Sequence, residues 1–398
     1  MPYRRDFLRT LGASAASPLL LAAGGYADQP AAGRQALVLS GGGALGAYQA
    51  GAIGCFTAGA GFNDGHPLDP YDIVVGTSIG ALNGWFVATA QYSKLHELWY
   101  GASAMNIMQL KPQFAATQDP QSGAADKLFA KIRMASLTSD QTAMYDSGPV
   151  LNWISKLIDP QRPLVMPFIW AVTNLTRHRT EFFFRRPQNA PVHVAADIVK
   201  AIKLILGPDT VVREASTENF HKEIFASAAI PIVWDPVLLT SPEGTLDQYC
   251  DGGVASNSSV RISHAMAEAV DVILLNPPFE ADPHYENAIT VAFGMFGTMQ
   301  AKILSVDMRN VHFQSVAKQA FAKLPGADAA IALQGDPELA AYFASLPATR
   351  LRYMRPKEKL PVGGGSFSDQ EGIGKAYRIG WNDAITGFMP YDWKTFDA

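Results

Sequence analysis

Two cysteines, Cys55 and Cys250, are all that the 398-residue chain contains. That excludes the dense disulfide framework of small secreted domains and any zinc site built on clustered cysteines. Each cysteine lies in an apolar stretch, where a buried free thiol is the expected state, although a Cys55–Cys250 pair stays open at this level. H-E-x-x-H, an EF-hand loop and a Cys/His cluster are absent, so the sequence asks for no metal and no cofactor. Basic runs are scarce. The formal net charge is −4, and the one short aromatic-basic stretch, Phe182 to Arg186, reads as an edge strand ending in solvated arginines. A nucleic-acid partner is therefore not expected. Long membrane-type runs are lacking as well. Gln35 to Asn63 carries no charge, but Ser40 and three consecutive glycines make it a poor bilayer helix and a good strand–turn–helix. What is present is a 48% apolar, 17% charged composition, that of a compact chain able to bury a sizeable core.

The first residues read as an address. "YRRDFLRT" holds Arg4 and Arg5, and an apolar, small-residue stretch from Leu11 to Gly25 follows, too short to span a bilayer. Residues 1–27 resemble a twin-arginine export signal with "GYA" as the cleavage site, which implies a periplasmic or secreted protein. Residues 28–35 read as a linker, and 36–390 as one large domain.

Within it, "ALVL" is a buried strand that meets a glycine turn, and Gly46 to Phe56 fits a helix. "YDIVVG" is a second strand, followed by the helical "TSIGALNGWFVATA". Two such units in succession predict an α/β fold: three layers, with helices on both faces of a central, mostly parallel sheet. The stretch 101–148 departs from this rhythm and reads as a helical insertion. Asn287 to Phe321 is helical, with Met299, Ile303, Val306 and Phe313 on one face. Ser368 and Glu371 form a capping box before the last helix.

Chemistry concentrates in three places. "GTSIG", Gly76 to Gly80, sits between a strand and a helix, where Ser78 would occupy a sharp nucleophile elbow with small neighbours on either side. Gly41, Gly42 and Gly43 end the preceding strand and offer bare N–H groups to an oxyanion. The same glycines, with Gly46, also satisfy the G-x-G-x-x-G dinucleotide fingerprint. That reading needs an acid at the end of the next strand, and the next strand ends in Gly76-Thr77-Ser78 instead. "CDGG" supplies a third element. Asp251 closes a strand, and Gly252 and Gly253 turn the chain away, so its carboxylate could accept a proton from a serine. None of the eight histidines follows His312, and His264, His284 and His312 read as structural or surface residues.

"GGGALG", "GTSIG" and "DGG", in this order, resemble the patatin-like phospholipases, as do "VTNLTRHRTEFF", "ASAAIPIVWDPV" and the closing "RPKEKLPVGGGSFSDQEGIGKAYRIGWNDA". The resemblance implies a lipid acyl hydrolase with Ser78 as nucleophile, Asp251 as base, the glycine loop as oxyanion hole, and no cofactor. Its partners would be a lipid or other acyl ester and, transiently, a membrane surface. Leu45 stands where many relatives carry a basic residue, and Asn257-Ser258-Ser259 replaces the family's Asn-x-Pro. Two other readings share these residues: an NAD(P)-binding enzyme, and a non-catalytic lipid-binding protein of the same fold.

Overall fold

A computed structural model describes residues 33–58, 62–100, 107–115, 120–135, 142–255, 259–277, 288–323 and 348–396. The twin-arginine-like segment, most of the linker and His284 lie outside them. The strands are β1 (Gln35–Leu39), β2 (Ile73–Thr77), β3 (Phe168–Asn174), β4 (Arg179–Arg185), β5 (Val211–Glu214), β6 (Val237–Thr240), β7 (Leu246–Asp251), β8 (Ala269–Ile273), β9 (Arg350–Met354) and β10 (Met389–Pro390). The helices are α1 (Gly46–Thr57), α2 (Ile79–Ala88), α3 (Tyr92–Tyr100), α4 (Pro112–Ala115), α5 (Ala124–Ala135), α6 (Ser147–Leu157), α7 (His193–Leu206), α8 (Phe220–Ala226), α9 (Ser259–Met266), α10 (Ala288–Phe321) and α11 (Gln370–Thr386).

The sheet runs β10-β9-β8-β1-β2-β3-β4-β5, with β7 joining β3 and β6 joining β7. Its centre, β9-β8-β1-β2-β3, is parallel throughout. Central strands in such a sheet are buried on both faces, which accounts for their near-continuous apolar sequences. Alternation still sorts the side chains. Leu37 and Leu39 face a core built with α1, α2, α3, α6, α8 and α11, whereas Ala36 and Val38 face a second core built with α7, α9 and α10. The fold is therefore three layers, α/β/α, as the strand–helix rhythm predicts.

The glycines inside α1 have a packing cause. A Cβ on Gly51 would fall 1.9 Å from the carbonyl oxygen of Tyr377, and one on Gly380 would fall 2.0 Å from that of Tyr48. The α1 and α11 backbones thus touch, which only glycine allows.

Four expectations need correction or sharpening. β4 is not an edge, because β5 pairs with it in parallel, and Arg186 is held by Glu214 at 3.2 Å. The buried stripe of α10 is Gln300, Leu304, Met308, Val311 and Ser315, while Val306 and Phe313 are exposed. The cap of α11 is Asp369, whose carboxylate accepts the Gly372 N–H at 2.9 Å, one residue beyond Ser368. Within 101–148 the described residues form α4, α5 and the start of α6, closed on themselves where Leu110 bridges Tyr145 and tied to the body where Ala143 bridges Ile232. Cys55 and Cys250 are both free thiols, and burial pushes the Cys250 thiol up to about 12. Among the described residues no helix is long and apolar enough to cross a membrane.

Candidate active site

Strand β3 is the template on which the site is assembled. One of its edges is covered by β4 along its whole length. The other edge is shared. Residues Phe168–Ala171 pair with Val74–Thr77 of β2, and from Val172 onward β7 takes over, with Asp251 opposite Val172. β2 and β7 therefore abut end to end. Ser78, one residue past Thr77, and Asp251, the last residue of β7, are brought together by register alone.

Ser78 adopts φ 57° and ψ −128°, a left-handed conformation that a non-glycine residue holds only under strain. Its neighbours show how the elbow is enforced. A Cβ on Gly76 would lie 2.4 Å from the Gly80 carbonyl oxygen, and one on Gly80 would lie 2.1 Å from that of Leu39. The Ser78 N–H donates to Ser227 Oγ at 3.0 Å, and that hydroxyl donates to the Ala171 carbonyl at 2.7 Å. Thr77 Oγ1 and Ser259 Oγ share a further hydrogen bond of 2.7 Å beneath the turn.

Asp251 is held just as firmly. Its N–H donates to the Ala229 carbonyl, its own carbonyl accepts from Thr173 Oγ1, and its Oδ1 accepts the Gly253 N–H at 2.8 Å. A Cβ on Gly252 would come 2.3 Å from the Ala171 carbonyl oxygen, so this turn too sits against β3. Burial is complete and pushes the carboxyl up to about 7, opposed by the Ser78 hydroxyl and the Gly253 N–H. Oδ2 makes no hydrogen bond of full geometry, so the Ser78 contact is a loose one that leaves room to tighten with substrate.

The glycine loop stands beside the elbow. Gly43 has φ 59°, and a Cβ there would lie 2.1 Å from the Gly364 carbonyl oxygen. That carbonyl accepts the Ala44 N–H at 2.8 Å, so a second glycine run near the C-terminus braces the first. Among the described residues, no hydrogen bond uses the N–H groups of Gly41, Gly42 or Gly43. Gln49 Nε2 holds the Ser40 carbonyl at 2.8 Å, and Asn83 bridges Gln49 Oε1 and the Gly46 carbonyl from α2. Leu45 packs against the core on the site side, so the loop carries no charge of its own.

A narrow apolar cleft opens over Ser78, its enclosed volume only about 20 Å³. Leu82, Val150, Trp153, Phe225, Trp234 and Phe367 line it, and Ile107 reaches it from the 101–148 stretch. Such a lining suits an acyl chain. No histidine bonds to Ser78 or Asp251 among the described residues. His264 is buried in α9 with Nδ1 against Thr349 Oγ1, and burial lowers it to about 4. His312 packs on Tyr391.

The serine and the aspartate are thus both legible from their turns, and both are placed together. Ser227, Gln49, Asn83 and Gln300 were not foreseen. For Gln49 and Asn83 a signal existed, since each is a lone amide in an apolar helix. Ser227 and Gln300 have no local signature.

Compared with protein families, residues 37–263 match Patatin, the patatin-like phospholipases. That span exceeds half the chain and contains Ser78, Asp251 and the glycine loop. The chain belongs to the patatin-like phospholipase family. No curated protein sequence matches this patatin-like chain. Among solved structures it is similar to VipD from Legionella pneumophila, at 13% identity and a TM-score of 0.34. The match covers 89% of this chain and 66% of that one, so the patatin-like chain spans just under two thirds of VipD.

Proposed function

We propose that this patatin-like protein hydrolyses acyl esters of lipids with a serine–aspartate dyad, Ser78 and Asp251, through an acyl-enzyme. The observation that carries this reading is the shared edge of β3, which sets the strained Ser78 against a fully buried carboxylate. A carboxylate pushed to about 7 is a stronger base than one in water and still ionised in part at neutral pH.

Ser78 Oγ attacks the ester carbonyl, and its proton passes to Asp251. The carbonyl oxygen becomes an oxyanion facing the N–H groups of the Gly41–Gly43 loop, where charge develops only as the reaction proceeds. Collapse breaks the ester C–O bond, and the alcohol leaves with the proton held by Asp251. Water then attacks the acyl-enzyme, Asp251 takes its proton, and the fatty acid is released as the proton returns to Ser78. The acyl chain lies in the apolar cleft throughout. Phospholipid and neutral ester both fit this chemistry.

Ser78→Ala tests the reading. Hydrolysis of a p-nitrophenyl acyl ester should fall by at least about 10³-fold with the thermal transition unchanged. Retained turnover would remove Ser78 from the chemistry.

A further inference from the structure

Beyond the dyad, the long helix α10 brings one side chain into the site. We infer that Gln300 is a positioning residue, its amide wedged between the glycine loop and the Asp251 turn so that both are held in place around Ser78. The inference rests on the dyad reading.

Three distances locate the amide. A Cβ built on Gly41 would fall 2.7 Å from Gln300 Nε2 and 2.9 Å from Oε1. The same point is 3.0 Å from the Cβ of Ser78. A Cβ on Gly253 would fall 2.0 Å from Nε2, and its three nearest atoms all belong to Gln300. One amide therefore fills the space in front of two glycines that belong to different loops. Those loops are far apart in sequence and carry the oxyanion donors and the base.

The helix context says why an amide is there. Gln300 is 2% exposed and continues the buried stripe of Leu304, Met308 and Val311. A buried amide costs free energy that an apolar side chain would not, so packing alone does not call for Gln300 at this position. α10 packs against the Gly252–Val254 turn at this point, so the amide sits where the helix meets the base-bearing turn. A glycine at 41 and at 253 gives the amide its room, while a methyl at either position would push it out.

The test uses the full chain and a p-nitrophenyl acyl ester. Gln300→Met keeps the length and apolar stem and removes the amide. It should lower kcat by roughly 10- to 100-fold, as expected when reacting groups shift by an ångström or less, with KM within about threefold. Gln300→Glu should move the acid limb of the kcat/KM profile to higher pH, because a second carboxylate nearby disfavours the ionised form of Asp251. Gly253→Ala, whose new methyl meets Gln300, should lose kcat to a similar degree, and adding Gln300→Met to it should cost little more. A Gln300→Met enzyme with the wild-type kcat, or a Gln300→Glu enzyme with an unmoved pH profile, overturns the inference. If Gln300→Met folds poorly, the Gly253→Ala and Gln300→Glu results decide. Ser78→Ala separates the two levels. Should it stay active, the dyad reading falls. Should it be dead while Gln300→Met is unimpaired, only the role of Gln300 falls.

Discussion

Strand β7 carries a buried carboxylate near each end, and the two are opposites. Both side chains are out of contact with solvent, at 1% and 0% exposed, but Asp247 lies close to the surface beside the partly exposed Arg177, whereas Asp251 is enclosed at depth. Their partners differ as well. Asp247 accepts from Asn174 Nδ2 at 3.1 Å, Thr245 Oγ1 at 2.7 Å and Arg177 Nε at 3.0 Å. Those donors, Asn174 foremost, hold its carboxyl down to about 2. Asp251 receives one backbone N–H and a loose serine hydroxyl, and burial wins, pushing it up to about 7. A carboxylate supplied with donors is a structural charge. One kept short of them is ready to take a proton.

The largest effect that would break this contrast is at Asp251. Asp251→Asn should cut kcat/KM by about 10³-fold or more, because an amide cannot accept the serine proton. It should also stabilise the fold at pH 8. A raised carboxyl pKa means that ionising Asp251 costs stability as pH climbs from the unfolded value near 4 to about 7, and the amide removes that cost. An active Asp251→Asn enzyme would erase the distinction. A smaller effect follows from pH alone. With the base titrating near 7, kcat/KM should rise about tenfold between pH 6 and pH 8. A flat profile would mean that Asp251 does not limit the reaction.

At the far end of β7 the signs reverse. Asp247→Asn should leave kcat within about threefold, since the residue touches none of the reacting groups. It should instead lower Tm by several degrees at neutral pH. Asp247 contributes stability that is present above the unfolded pKa and lost as pH falls through about 2, so the variant's deficit against wild type should be largest at neutral pH and shrink in acid, where the two converge. Thermal scans at pH 3 and pH 7 read the difference.

Ser78 and Asp251 were legible because each announces itself by local turn chemistry: small residues around an elbow, glycines after an aspartate. Their meeting was not, since it depends on β2 and β7 sharing one edge of β3. The glycine loop was legible in composition, but its brace at Gly364 is a tertiary contact from more than 300 residues away. α10 was misjudged for an instructive reason. Met299, Ile303, Val306 and Phe313 do form an apolar stripe by spacing, yet the face that packs inward includes Gln300, Asp307 and Ser315. Polar residues in a buried stripe hide it from any count of hydrophobic spacing, and here one of them reaches the site. β4 looked like an edge because its true neighbour, the four-residue β5, carries Arg213 and Glu214 and has no strand-like pattern.

The most direct measurement is the rate of covalent labelling by a fluorophosphonate probe across pH, with the labelled residue read by mass spectrometry. Ser78 should be the labelled residue, the wild-type rate should rise with a midpoint near pH 7, and Asp251→Asn should react slowly at every pH. Labelling at another residue, or an Asp251→Asn protein that reacts as fast as wild type, would contradict the dyad.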